Sequence, residues 1–459
     1  MPETEHYSAL LTDLYELTMA AAYFENKLVA NATFELFVRS LPPERGFLLA
    51  AGLQQALDYL ESLRFQEDDI AYLRQQSVFQ HIGSEFFDYL RKFRFTGEVW
   101  AMPEGTPVFG EEPFLRVTAP IMEAQIVETF LLSILTFQTM IASKAARVVR
   151  AARGRRIIEF GSRRAHGPDA GVLAARAAYI GGCAGTSNVE AGRRYGIPIF
   201  GTLAHSFIMA YADETEAFQK FHRLFPEHNV LLVDTYDTLA AVDKIIQNHL
   251  HPSAIRLDSG DLVELSRQAR RRLDEAGLRD TKIFASGDLD EYAISNLLDR
   301  GAQIDAFGVG TALATSKDAP ALGGVYKLVD LESDGNIVYR AKFSEEKLTY
   351  PGRKQVFRSH DSDGVFRGDT VACESETFPG DEPLLSCVMR NGSRVCPSPD
   401  LPSIQQHARQ QLERIPEACF YGREHYAVNF SQRLRDLLTV VRRRVKHQGE
   451  GKRGSEGVA

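Results

Sequence analysis

The sequence predicts an α/β protein: an irregular α/β (TIM-like) barrel domain with an N-terminal α+β domain and a smaller C-terminal region. Three observations carry that expectation. Seven short apolar runs, each ending in a cluster of small or polar residues, lie between positions 155 and 315 of the 459-residue chain. Helical stretches follow them. The series opens with one long amphipathic segment, IVETFLLSILTFQTMIASKAARVVRAA, from position 126. Strands alternating with helices imply right-handed βαβ crossovers and a parallel sheet, and this many units in series favour closure into a barrel. The uneven intervals make the expected barrel irregular.

In chain order, LLTDLYELTMAAAYFENK has the spacing of a helix, and ATFELFVRSLP reads as a strand stopped by proline. They place an α+β domain at 1–125. The barrel is expected over 126–345, its seven runs being RIIEFGSRRA, AAYIGGCAGTSN, IPIFGTLAHS, NVLLVDTYDT, SAIRLDSGDL, KIFASGDLD and AFGVGTALAT. A C-terminal region over 346–440 is expected to pack on the N-terminal domain, and 441–459 reads as a basic flexible tail.

Composition narrows the function classes. With 44% hydrophobic and 25% charged residues the chain has ordinary globular values and room for two or three domains. A net charge of -8 argues against wholesale binding to nucleic acid, whose phosphates demand a basic face. The one basic run, Arg442-Arg443-Arg444-Val445-Lys446, precedes a Gly-rich end and reads as a solvated tail. Five cysteines form neither a CxxC pair nor a regular ladder, so a reduced, cytoplasmic setting is expected and no structural metal. The N-terminus lacks a basic leader with an apolar core, and the longest uncharged run, 129–143, is shorter than the roughly 20 residues a bilayer requires. No membrane partner is expected.

Barrel enzymes assemble their sites from loops at the C-terminal ends of the strands, and the polar clusters lie at those ends. Arg163, Arg164, Thr186, Ser187, Asn188, His205, Ser206, Asp234, Asp237, Arg256, Asp258, Asp261, Ser286, Asp288 and Thr311 would then converge on one mouth. Taken singly, Ser, Thr, Asn and Asp at such positions cap helices. Arginines cap no N-terminus, and the repetition over seven units points to a site. Gly308-Val309-Gly310-Thr311, with Ser286-Gly287-Asp288 one unit earlier, offers backbone N–H groups at helix starts, which suits phosphate at the last two strands. Arg163 or Arg164, with Arg256, adds planar forks for carboxylate or phosphate, so the ligand is expected to be anionic. Asp258 and Asp261 can accept from sugar hydroxyls or hold magnesium; capping and turn roles are the alternative. His205, among small neighbours in GTLAHSFIMA, is either a core histidine or a nucleophile.

These motifs resemble the nicotinate phosphoribosyltransferase family. The residues that carry the resemblance are LLTDLYELTM at 10–19, EFGSRRAHG at 159–167, GGCAGTSNVEAGRRYGIPIFGTLAHS at 181–206, IRLDSGDL at 255–262 and the ASGDLDEY…GVGTALATS segment, in the expected order across the first 70% or so of the chain. From GRKQVFR at 352 the likeness is loose.

The resemblance implies joining of nicotinate N1 to C1 of phosphoribosyl pyrophosphate with release of pyrophosphate, in a homodimer with shared sites. It also implies coupled ATP hydrolysis through phosphorylation of His205, with magnesium arriving on the pyrophosphate or ATP. By the same resemblance Tyr15 closes over the pyridine ring from the partner subunit, Arg163 and Arg256 hold or flank nicotinate, and Asp258 accepts from the ribose. Thr202, Ser206, Asp261, Gly287, Gly310 and Thr311 would bind ribose and phosphate groups. The alternatives are a transferase for nicotinamide or quinolinate and, in another class, a noncatalytic barrel that binds a sugar phosphate.

Overall fold

The computed structural model describes residues 7–344 and 347–453, the side chains of 448–453 excepted. Six of the expected barrel runs form one parallel sheet. Its strands are Arg156–Glu159, Gly185–Thr186, Val230–Leu232, Ala254–Leu257, Lys282–Ala285 and Ala306–Val309, here the first, second, fourth, fifth, sixth and seventh. Their spatial order is second, first, seventh, sixth, fifth, fourth. The third run contributes a single parallel bridge, Thr186 to Ile199. Going round the circle, the seventh strand pairs with the first, with Phe307 beside Ile157, so the sheet curls back on itself. Among the described residues no ladder joins the third run to the fourth strand, and the barrel is irregular at that seam.

One run is misassigned by its pattern. The apolar stretch 177–180 in AAYIGGCAGTSN is the end of the helix Pro168–Ile180, and only Gly185–Thr186 of that unit is strand. A proline at the first helical turn and glycines directly after Ile180 bound this helix, so the run belongs to the helix by length as well as by its stops.

The N-terminal unit is a seven-stranded antiparallel sheet and is assembled from distant parts of the chain. Its order is Asn336–Tyr339, Gly324–Ser333, Asn31–Val38, Pro113–Pro120, Glu98–Ala101, Ser386–Arg390, Ser393–Arg394. The boundary expected at 345 therefore moves: the hairpin 324–339 leaves the barrel and lies along strand 31–38, with Leu36 opposite Tyr326. A strand's pairing partner leaves no local trace in its own sequence, which is why the pattern misplaces it. The C-terminal region adds a four-stranded sheet, and strand 386–390 crosses into the N-terminal sheet beside Trp100. The stretch expected to be a flexible tail is helical as far as it is described: it continues the helix Gln432–Arg453, with the Arg442 guanidinium 5.4 Å from the Phe343 ring centre. Residues 454–459 lie outside the described part.

The helix Glu128–Ala151 ties the two units together. Phe130, Leu131, Ile134 and Leu135 near its start belong to the core of the N-terminal unit, while Ile141, Ala142, Ala145, Ala146 and Val148 belong to the barrel core. Each large apolar side chain buried this way contributes about 1.5–3 kcal/mol. By length and composition this helix would cross a bilayer, beyond what the run 129–143 suggests, but 72% of its apolar window is buried inside the protein. Arg176 adds a polar tie: it is buried, pairs both terminal nitrogens with Glu104 at 2.8 Å, and also bonds Gln138 and Gln54. Breaking a buried pair of this kind costs about 3–5 kcal/mol.

Candidate active site

Arg256, in the fifth strand, is the hub of the strand-end cluster. Its Nε donates to Ser286 Oγ at 2.8 Å, Nη1 to Thr202 Oγ1 at 2.7 Å and to the Leu203 carbonyl at 3.3 Å, and Nη2 to Asp258 Oδ1 at 2.6 Å. Loops of the third, fifth and sixth units are thus gathered on one guanidinium. Four of its five N–H groups are engaged in these bonds, so its edge is taken and its face is left. That face looks onto Phe160, 5.8 Å from the ring centre. Its edge is therefore engaged within the protein, and one N–H is left for a ligand.

Asp258 receives a second bond from Ser286 Oγ. Burial pushes its carboxyl upward, but the Ser286 bond and the Arg256 guanidinium outweigh that and hold it below the usual aspartate range. The Asp258 backbone N–H and the Ser259 hydroxyl both donate to Asp234 Oδ2, at 3.1 and 2.6 Å, while Asp234 Oδ1 is buried without a partner.

His205 is the first residue of the short helix His205–Met209, after Ala204 in extended conformation. Its side chain is 43% exposed. Nδ1 lies 3.1 Å from Thr235 Oγ1, and Nε2 lies 3.8 Å from Asp258 Oδ2. The first is a hydrogen bond; the second is too long to be one. Thr235 engages Nδ1, and Nε2 is the ring nitrogen that faces the mouth beside Asp258. The core reading of His205 does not hold, because its ring is half open and points into the polar cluster.

The glycine-rich loops lie on the same side. Gly287 has φ +98°, and a Cβ there would meet the Asp258 carbonyl oxygen at 2.1 Å, so the sixth loop can lie on the fifth strand only with glycine. Gly308 in the seventh strand makes room for Phe160, whose ring a Cβ would meet at 2.6 Å. Gly310 precedes the short helix Thr311–Ala314 as its N-cap.

Beneath Phe160, the Glu159 carboxylate accepts from Thr186 Oγ1 at 2.6 Å and from the Gly161 N–H. Burial raises its pKa, with those bonds opposing. Phe160 is the residue that the motif reading passes over; its signal is an aromatic at a strand end, between a carboxylate and a glycine, in EFG.

Other expected residues are placed differently. Asp261 is a helix cap: its Oδ1 accepts from the N–H groups of Val263 and Glu264, and its Oδ2 lies 3.5 Å from Arg300. Asn188 and Asp237 likewise cap helices, through Ala191 and Ala240. A side-chain oxygen directly before a helix has unsatisfied N–H groups within reach, and at these positions capping takes the side chain. Thr202 is in the cluster, bonded to Arg256, and Ser206 is exposed beside His205. Arg163 is exposed, without a hydrogen bond or ion pair among the described residues, and it borders an open cleft of about 600 Å³ with Ser162, Gly167, Asp169, Asn188 and Arg194. Within one chain Tyr15 stands apart from Arg256: it lies on the helix Leu14–Glu25, 44% exposed, with its hydroxyl bonded to Glu128. Burial and the carboxylates of Glu128, Glu16 and Asp13 raise its pKa.

Comparison with known proteins accounts for this arrangement. Residues 10–136 match the nicotinate phosphoribosyltransferase (NAPRTase) N-terminal domain, 141–319 the quinolinate phosphoribosyl transferase C-terminal domain, and 381–438 the nicotinate phosphoribosyltransferase C-terminal domain. The chain is 51% identical over 419 residues to a nicotinate phosphoribosyltransferase of Mycobacterium tuberculosis, covering 90% of this chain and 88% of the relative. It is 47% identical to that of Bacillus subtilis, covering 92% and 93%. The crystal structure of human nicotinic acid phosphoribosyltransferase superposes with a TM-score of 0.83 at 29% identity, covering 94% of this chain and 99% of the other.

Proposed function

The chain belongs to the nicotinate phosphoribosyltransferase family and is an enzyme of that activity in NAD biosynthesis, and on that premise we propose how its residues divide the work and that the reaction is coupled to ATP. The observation that carries the division is the Arg256 hub, which sets Asp258, Ser286 and Thr202 on one guanidinium and leaves its face toward Phe160. The pyridine ring packs beside this Arg256–Phe160 pair, with Tyr15 of a second copy closing over it. Nicotinate N1 attacks C1 of phosphoribosyl pyrophosphate, the C1–O bond to pyrophosphate breaks, and pyrophosphate leaves with the bonding pair. Asp258, kept ionised, accepts from the ribose hydroxyls and stabilises positive charge that develops at C1. The loops at Gly287 and Gly310–Thr311 take the 5′-phosphate. Arg163, an exposed cation without a hydrogen bond or ion pair among the described residues, takes the nicotinate carboxylate.

His205 is the proposed phosphoryl acceptor. Its Nε2 attacks the γ-phosphorus of ATP, the bond to the bridging oxygen breaks, and ADP leaves; hydrolysis of the phosphohistidine completes the cycle. Thr235 engages Nδ1 and leaves Nε2 toward the mouth, and the attacking form is the tautomer in which Nδ1–H donates to Thr235. Asp234, whose Oδ1 is buried without a hydrogen-bond partner, is the carboxylate that would help hold magnesium carried by the pyrophosphate or ATP, where the ion would offset phosphate charge.

A second copy completes the site in this reading. Leu11, Leu14 and Tyr15 present an exposed apolar face on the N-terminal unit, and Ile199, Phe200 and Met209 present another around the barrel seam. Pairing the two faces brings Tyr15 to the partner's mouth. A reduced, cytoplasmic setting fits the five free thiols. Formation of the mononucleotide from nicotinate, nicotinamide and quinolinate, each with and without ATP, tests the whole. Product from nicotinate, increased by ATP, is expected; equal use of nicotinamide would overturn the Arg163 assignment, and no effect of ATP would overturn the coupling.

A further inference from the structure

Behind the two glycine loops lies a buried group of charges that the proposed chemistry does not use. Lys144 and Arg147 lie one turn apart on the inner face of the helix 128–151, and both are buried. Lys144 Nζ is 2.5 Å from Glu291 Oε2 and 2.7 Å from Asp318 Oδ1. Arg147 reaches the same two carboxylates, at 3.2 and 3.5 Å. Arg45, from the N-terminal unit, joins at Asp318 Oδ2, 3.0 Å away, and at Ser316 Oγ, 2.8 Å away. Tyr292 links Arg147, at 2.8 Å, to Glu44, at 2.5 Å.

The two shared carboxylates are the telling part. Glu291 opens the helix that follows the Gly287 loop, and Asp318 lies in the turn after the short helix Thr311–Ala314 that follows Gly310. Each cation on the long helix therefore bridges the two loops. Stability alone does not account for the arrangement. Three buried cations face two carboxylates, and Arg45 keeps Nε and Nη1 buried without a partner. Burial and the neighbouring Arg147 charge lower the Arg45 pKa, against the attraction of Asp318. Apolar side chains of similar volume often serve stability as well as such a cluster does, whereas removing one partner of a buried ion pair leaves its mate uncompensated, which ties the paired segments together.

We propose that Lys144 and Arg147 are positioning residues for phosphoribosyl pyrophosphate, acting as a clamp that fixes the spacing of the Gly287 and Gly310 loops without touching the substrate. The inference rests on the reading that those loops take the 5′-phosphate. A shift of about 1 Å between groups that grip one ligand costs up to a hundredfold, so a slack clamp reads out on the substrate the loops hold.

The test compares Lys144→Met, Asp318→Asn and Thr311→Ala with the unaltered enzyme, measuring KM for each substrate with the others saturating, and Tm. Both clamp variants are expected to raise KM for phosphoribosyl pyrophosphate roughly tenfold or more while KM for nicotinate stays within about twofold. Should Lys144→Met fail to fold, Asp318→Asn decides, since it is isosteric and its side chain is 28% exposed. A folded clamp variant with unchanged KM for phosphoribosyl pyrophosphate, or with both KM values raised alike, overturns the clamp. Thr311→Ala separates the two ideas. If it raises KM for phosphoribosyl pyrophosphate and the clamp variants do not, the clamp alone falls. If it has no effect and the clamp variants do, the clamp stands and the phosphate contact moves off the Thr311 hydroxyl. If none of the three has an effect, the clamp falls and the phosphate contact is not the Thr311 hydroxyl.

Discussion

The Nε2 atom of His205 stands 3.8 Å from Oδ2 of Asp258, while the other oxygen of the same carboxylate is held by Arg256 at 2.6 Å. One carboxylate thus serves two neighbours unequally: it is bonded to the arginine and only near the histidine. The imidazole keeps a free nitrogen, and a phosphoryl group on it would lie beside the residue expected to hold the ribose.

Replacing His205 by alanine is expected to abolish ATP hydrolysis and the incorporation of acid-labile phosphate from labelled ATP. Weak, ATP-independent mononucleotide formation should remain, because Arg256, Asp258 and the glycine loops are untouched. Phosphate incorporation at the unaltered level would move the acceptor to another residue, His166 first.

Arg163→Gln removes a cation whose proposed partner is the nicotinate carboxylate. Loss of its charge-assisted bonds, about 1.5–3 kcal/mol, lowers kcat/KM for nicotinate roughly tenfold to a hundredfold and leaves nicotinamide nearly unchanged. Arg163→Lys recovers only part, since it restores charge without the planar fork. An unchanged nicotinate-to-nicotinamide ratio in the Gln variant would show that Arg163 serves phosphate instead.

If Tyr15 completes the mouth of a second copy, two chains that each lack ATP-coupled activity should rescue each other. Heterodimers of Tyr15→Ala with His205→Ala regain one site in which both residues are intact, giving up to about half of the unaltered dimer's ATP-coupled activity. Verified heterodimers with no recovery would place Tyr15 outside the partner's site.

Glu16 gives stability a pH dependence of known sign. It is buried on the N-terminal helix, and although Thr12 and Thr129 bond its carboxylate, burial raises its pKa from 4.5 to about 7. A carboxyl raised in the folded state binds its proton more tightly there than in the unfolded chain. Its contribution is therefore complete below pH 4.5 and is lost as pH rises through about 7. The Tm of Glu16→Gln, relative to that of the unaltered protein, is expected to improve steadily across that window. A constant difference would show that Glu16 does not titrate there.

The barrel was legible because its signal is local: seven apolar runs with polar ends need only their own residues to be seen. The same holds for His205, Arg256 and Asp258, which stand at strand ends. What local pattern misses is choice among partners. Strand 324–333 carries nothing that says it joins strand 31–38 rather than the barrel. Asp258 and Asp261 look alike in RLDSGD, yet one lies on Arg256 and the other caps a helix. Arg256 is legible as a cation but not as a saturated one, and Phe160 earns its place only once Gly308 is seen to make room for it. Tyr15 is the reverse case: its sequence motif points to a site that its own chain does not build around it.

The split N-terminal sheet also sets a schedule for the growing chain. Strand 31–38 can pair with 113–120 early, but its other edge waits for residues 324–333, which follow Val38 by about 290 positions. At the usual 5–20 residues per second of synthesis, that edge stands open for roughly 15–60 s. Seven of its eight residues end up buried, so what waits is an apolar strand with unpaired N–H and C=O groups, a template for any other chain nearby. The barrel is made during that interval, and the strand that closes the first sheet emerges directly after it.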